Sequence, residues 1–201
     1  EVLREVLEVR LVAARGEHAL DSDALGRELG FVAGEVPEVK LRGCRVSSSK
    51  IRQLLAQGRV NLARRMLGRP YGVEALVIRG NERGHTLGFP TANLHPQNRV
   101  IPAHGVYVTG TLIDGQWRRS VTNIGTRPTF ETATEPSVET FVMNWSGDLY
   151  GDVIRVRFLY RLRDEKKFAS LEDLRTQINK DVAQAERYFE RAGARHVLSI
   201  L

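Results

Sequence analysis

The 201 residues include one cysteine, Cys44, two tryptophans and two methionines, and no apolar run comes near the roughly 18 to 20 residues of a membrane helix. A lone cysteine excludes an internal disulfide and any cysteine-built zinc cluster, which fits a reducing cytosol. No signal-peptide pattern opens the chain, so a cytoplasmic location and no membrane partner are expected. Aromatics are only 7% of residues, and no strand-like segment interleaves them with Lys and Arg, which argues against a base-stacking nucleic-acid surface. The GxxxxGK[ST] spacing of a P-loop and the GxGxxG of a dinucleotide fold are also missing, which disfavours both classes.

What is present is enough apolar residue, 42%, to bury the core of one ordinary domain or two small ones. Thirty Lys and Arg against 24 Asp and Glu give a formal charge of +6. That surplus permits nucleic acid, an anionic surface or phosphorylated small molecules as partners, and the scattered arginines read equally as a solvated basic surface. The opening "EVLREVLEVRLVAARG" resembles the middle of a helix and strand without an initiator methionine, so a longer parent protein is expected.

The chain changes character near residue 68. Up to Leu67 the pattern is mainly helical, with one β-like piece, "EVPEVKLRG". Ile51, Leu54 and Leu55, then Leu62, Met66 and Leu67, predict two short amphipathic helices broken at Gln57-Gly58. Ser47, Ser48 and Ser49 precede the first of them. They suit either a helix cap or, with Lys50 and Arg52, a phosphate held at the helix start. From Tyr71 the period becomes that of strands. "YGVEALVIRG", a hairpin turning at Asp114-Gly115, "SVETFVMNW" and "GDVIRVRFLYRLR" succeed one another, the last with Ile154, Val156, Phe158 and Tyr160 expected on one face. Many strands with few helices between them predict an antiparallel barrel or sandwich. A final helix is expected from Ser170 and Asp173, which resemble a capping box, with an apolar stripe of Leu171, Leu174, Ile178, Val182, Ala185 and Phe189 ending at Gly193.

Chemistry gathers in four places. Gly80, Gly84 and Gly88 punctuate "RGNERGHTLGFPTANL", a spacing that fits either a phosphate-covering loop or an irregular connection. Thr91 and Asn93, two apart, share a face of an extended segment, and their oxygens suit either magnesium or the turn's own backbone. Glu139 is expected on the apolar face of its strand with Phe141, Met143 and Trp145. An acid there is costly unless it is paired with an arginine or used as a general base. "NIGTRPTF", with Asn123 and Arg127, and "RLRDEKKF", with Arg163 and Phe168, fit either rigid turns and solvated charge or clamps on a ligand.

Taken in order, Gly88-Phe-Pro-Thr-Ala-Asn93, "NIGTRPTF", "VETFV", "DLYG" and "LRDEKKFASLEDL" resemble the riboflavin kinase family over about Leu67 to Ala185. Upstream, "RVSSSKIRQLLAQGRVNLARRMLGRPY" resembles the end of the adenylyltransferase half of the bifunctional bacterial enzymes. The resemblance implies a six-stranded antiparallel Greek-key barrel with a C-terminal helix over residues 69–201, preceded over 1–68 by part of an α/β nucleotidyltransferase domain. It also implies a small-molecule reaction in which MgATP phosphorylates riboflavin to FMN. Glu139 would be the base, and Thr91 and Asn93 would hold Mg2+ and phosphate. The Gly80–Gly88 loop would cover ATP phosphates, Tyr150 of "DLYG" would line the nucleotide side, and segments 123–129 and 163–168 would close over substrates. The glycine-rich stretch and HxGH-type motif of the adenylyltransferase half are not in this sequence. FMN adenylylation is thus expected of the parent protein, with Ser47, Ser48, Ser49 and Arg52 a part of that second ATP site. The competing readings are a non-catalytic flavin-binding module and a nucleic-acid-binding barrel.

Overall fold

A computed structural model describes residues 22–30, 32, 37–80, 88–126 and 136–193. The chain forms two compact units, Glu1–Lys40 and Leu41–Leu201. Helix α1 (Ser22–Leu29) is the regular element described in the first. The strands β1 (Lys40–Leu41) and β2 (Cys44–Arg45) make a two-stranded hairpin at the end of the β-like piece read from the sequence. Next come α2 (Ser48–Ala56) and α3 (Val60–Leu67), broken as the sequence predicts at Gln57-Gly58. These helices, grouped by the sequence with the upstream piece, belong to the same compact unit as the strands after them.

Six strands then close into a barrel: β3 (Tyr71–Ile78), β4 (Thr91–Pro96), β5 (Gly105–Ile113), β6 (Gln116–Thr126), β7 (Pro136–Val142) and β8 (Val153–Arg163). The order around the barrel is β3-β4-β7-β6-β5-β8, with every pairing antiparallel. Within it β5, β6 and β7 are successive neighbours and β8 returns to lie beside β5, which is the Greek-key arrangement. Asp114 and Gly115 both take positive φ, 50° and 71°, as a two-residue type I′ turn between β5 and β6 requires.

The interior is filled by alternate residues, among them Val73, Ala75 and Val77 of β3, Leu94 of β4, Ile124 of β6 and Val138 of β7, each under 5% exposed. Each of the larger aliphatic side chains contributes about 1.5–3 kcal/mol by leaving water. Leu54, Leu55, Val60 and Ala63 from α2 and α3 join this core. The Tyr107 hydroxyl donates to the Ala103 carbonyl, and the Ala103 N–H donates to the Leu55 carbonyl at 2.9 Å, tying α2 to the strand ends. The interior also holds hydroxyls. Thr111 bonds Ser120, Ser120 bonds Thr109, Thr109 bonds Thr122 and Thr122 bonds Thr140, each at 2.8 Å and each fully buried. A chain of hydroxyls satisfies itself because each oxygen both donates and accepts.

Two sequence expectations change here. Tyr160 does not continue the inward face of Ile154, Val156 and Phe158: it is 45% exposed, while Leu159 is buried. Val108 pairs with Tyr160 but Thr109 with Phe158, so a bulge at Leu159 reverses the alternation. The last helix, α4 (Leu171–Arg191), is capped by Ser170, whose hydroxyl accepts from the Asp173 N–H at 3.1 Å and donates to its carboxylate at 2.8 Å. Ala185 and Phe189 of α4 pack on the outside of the barrel against Val106, Val108 and Leu159. Leu171, however, is exposed, and the stripe includes a buried acid, Asp181.

Candidate active site

Strand register brings the sequence-predicted residues into one row on the outer face of the barrel. Asn93 of β4 lies opposite Glu139 of β7, Glu139 opposite Asn123 of β6, Asn123 opposite Val106 of β5, and Val106 opposite Arg163 of β8. Directly opposed residues have Cβ atoms about 4.5–5.5 Å apart, so Glu139 stands between two carboxamides within side-chain reach. Thr91 shares the outer face and lies opposite Phe141, whose ring meets the edge of Phe89 at 5.3 Å.

Glu139 shares its face with Phe141 and Met143, as expected, but that face is the outside of the barrel and the acid on it is half-buried. Val138, Thr140 and Val142 point into the barrel, and Glu139 and Phe141 lie half-buried on the outside. Met143 continues its face, packing with Phe141 in the cluster beneath α4, whereas Trp145 packs against the interior cluster after Asn144 turns the chain at φ 53°. The carboxylate is therefore not in an apolar core. Its Oε1 accepts a hydrogen bond from the Ser137 hydroxyl at 3.2 Å.

Asn93 is 6% exposed and fits against Gly80: a Cβ at residue 80 would lie 2.1 Å from its Nδ2. Glycine there is a packing requirement set by the amide. Arg79, beside it, places its guanidinium 5.7 Å from the centroid of the Tyr150 ring. Tyr150 is held in its turn by its N–H donating to Asp148 Oδ1 at 3.0 Å, and that turn is tied to β3 because the Gly151 N–H donates to the Val77 carbonyl. "DLYG" thus adjoins the end of β3, next to Gly80 and Asn93. Gly88 takes φ 81°, just before β4. Gly84 and Arg127 lie outside the described residues.

On the other side of the row, Gly125 leaves room for the Glu165 carboxylate, whose Oε1 would be 2.2 Å from an added Cβ. Segment 164–168 therefore lies against β6 two residues from Asn123. Arg163 anchors that segment. Its guanidinium donates through Nε and Nη2 to Asp181 of α4 at 2.8–3.0 Å and through Nη1 to the Asp164 carbonyl, and it lies 5.8 Å from the Phe168 ring centroid. Gln177 donates to the same carboxylate at 2.9 Å. Ser137 and Glu165 carry no motif of their own. Alternation from Glu139 points to the first, and only the tertiary structure places the second.

Ser47 is a helix cap: in extended backbone, its hydroxyl accepts from the Lys50 N–H at 3.2 Å. Ser48, Ser49 and Arg52 are exposed on the first turns of α2, away from the row in sequence and in strand pairing. No helix among the described residues is long and apolar enough to cross a membrane.

The family described as Flavokinase, riboflavin kinase, matches residues 67–189. A bifunctional riboflavin kinase/FMN adenylyltransferase of Pseudomonas fluorescens is 42% identical over 80% of this chain and 51% of its own length. One of Bacillus subtilis is 40% identical over 72% of this chain and 47% of its own. The chain spans about half the length of these curated relatives. A solved structure titled a macrolide-efflux protein, from Streptococcus pneumoniae, superposes with a TM-score of 0.75 at 33% identity, covering 86% of this chain and 57% of that one.

Proposed function

The chain belongs to the riboflavin kinase family, and from that premise we propose that it transfers the γ-phosphoryl group of ATP to the terminal ribityl hydroxyl of riboflavin, giving FMN and ADP. The observation that carries the proposal is the position of Glu139, in register between Asn93 and Asn123 and on the same face as Thr91.

Phosphoryl transfer asks for placement and charge neutralisation more than for covalent chemistry. Glu139 accepts the proton of the ribityl hydroxyl as its oxygen bonds to the γ-phosphorus, and the bond from that phosphorus to the ADP oxygen breaks. Asn123, on the neighbouring strand, orients the hydroxyl. Thr91 and Asn93 offer a hydroxyl and an amide oxygen, the hard donors that Mg2+ accepts when nucleotide phosphates complete its shell. Among the described residues no three His, Cys, Asp or Glu side chains gather to hold a metal. Mg2+ supplies charge neutralisation at the phosphate oxygens.

The Gly80–Gly88 segment, with Gly84, covers the phosphates, and Tyr150 bounds the nucleotide side. Arg127 contributes from the β6–β7 connection. Arg163 and Phe168 act by holding segment 164–168 over the row, since the Arg163 charge is already met by Asp181. Residues 1–68 are the end of a nucleotidyltransferase domain, in which Ser47, Ser48, Ser49 and Arg52 adjoin a second ATP site, and the parent protein adenylylates FMN to FAD in the cytoplasm. The kinase domain then begins at residue 69, with α2 and α3 of the upstream piece packed into its barrel core. Incubating the chain with riboflavin and MgATP tests the proposal. FMN and ADP appearing in equal amounts support it, and riboflavin left unphosphorylated at saturating MgATP overturns it.

A further inference from the structure

Ser137 stands two residues before Glu139 on β7, and strand alternation gives the two side chains one face. Ser137 is 8% exposed, more deeply set than the half-buried Glu139. A buried hydroxyl needs a partner. The residue opposite Ser137 on β6 is Gly125, which has no side chain to offer. The Ser137 hydroxyl reaches Glu139 Oε1 at 3.2 Å, and it is the donor because an ionised carboxylate only accepts.

We propose that Ser137 is a positioning residue for the phosphoryl transfer, fixing the Glu139 carboxylate through Oε1 so that Oε2 meets the proton of the attacking hydroxyl. The inference rests on the reading of Glu139 as the base. A glutamate on the outside of a sheet has three side-chain torsions and a solvated rim into which it can swing. One hydrogen bond from a deeply set serine selects the rotamer that keeps the carboxylate between Asn93 and Asn123. The backbone that presents Ser137 is the same strand that presents Glu139, so both are placed by one set of ladder bonds.

The test is a cycle of Ser137→Ala and Ser137→Thr, each made alone and in a Glu139→Gln background, with kcat, both KM values and thermal unfolding measured. Ser137→Ala is expected to lower kcat about 10-fold, the effect of losing one hydrogen bond to a charged group, with KM for riboflavin and MgATP within about two-fold. Ser137→Thr keeps a hydroxyl on a β-compatible side chain and is expected to restore most of the rate. In the Glu139→Gln background, Ser137→Ala is expected to change little. A Ser137→Ala loss that persists undiminished in Glu139→Gln, or one that Thr fails to restore while unfolding stays unchanged, overturns the positioning role and leaves Glu139 as the base. Near wild-type turnover of Glu139→Gln alone overturns the base reading, and the positioning role falls with it.

Discussion

Replacing Gly80 by alanine isolates the placement of Asn93. The new Cβ would lie 2.1 Å from Asn93 Nδ2, 2.2 Å from Cγ and 2.4 Å from Oδ1, where ordinary contact begins at 3.4 Å. The carboxamide must therefore move by about 1.3 Å, the difference between 3.4 and 2.1 Å. The atoms in the way belong to a side chain, so the barrel yields there and not in its backbone. Gly80 has no positive φ, and alanine at a compatible site stabilises by about 0.4–1 kcal/mol through the unfolded chain. That gain offsets part of the crowding, and thermal stability should stay within about 1 kcal/mol of the parent. A displacement of about 1 Å at a substrate-positioning group costs on the order of 100-fold in rate. Steady-state kinetics should show that loss concentrated in MgATP, and adding Gly80→Ala to Asn93→Ala should cost little more. Unchanged kinetics in Gly80→Ala would refute the claim that Asn93 must sit where the structure puts it, and so would full additivity with Asn93→Ala.

Two further perturbations probe the frame. Asp181→Ala strips the partner from the Arg163 guanidinium, whose side chain is only 16% exposed. Breaking such a buried pair costs about 3–5 kcal/mol, so chemical denaturation should show a large loss, and a change under about 1 kcal/mol would mean the pair is not what fastens segment 164–168 to α4. The Tyr71 and Tyr107 phenols are pushed above the ordinary tyrosine value, chiefly by burial, with Arg69 and Arg161 opposing. Because the folded-state values are raised, the stability they contribute is complete below about pH 10 and is lost as pH rises through the folded values. Tyr71, which donates to the Val100 carbonyl at 2.7 Å, can be replaced by Phe. That variant should show a shallower loss of stability above about pH 10, and an unaltered slope would contradict the linkage.

Five of the six barrel strands were legible because period-two alternation and the Asp114-Gly115 turn are local signals, as were the helix break at Gln57-Gly58 and the Ser170 cap, whereas β4 lacks a clean alternation and was legible only as an extended segment. The facing of Glu139 was not. "ETFVMNW" groups the acid with Phe141 and Met143 correctly, but that face is the barrel's exterior, because Thr140 is drawn inside by a hydroxyl chain whose other members come from β5 and β6. A small barrel can seat threonines inward when they satisfy one another, which inverts the usual reading of polar as outward. Tyr160 escapes the alternation for a different reason: one extra residue in β8 moves it to the other face, and a bulge has no mark in this sequence. Thr91 and Asn93 were legible as a pair. Their meeting with Glu139 and Asn123 depends on the register of β4 and β6 against β7, which no single strand encodes. Asp181 was hidden on an otherwise apolar stripe, and its partner Arg163 is 18 residues away.

The central claim is that Glu139 takes the proton of the attacking hydroxyl. Its most direct test is the rate of FMN formation by Glu139→Gln under saturating riboflavin and MgATP, with binding of each substrate measured separately. The account predicts a loss of about 10²–10⁴-fold in kcat, the usual span for removing a general base, with both affinities nearly unchanged. A variant that makes FMN at close to the parent rate would contradict it.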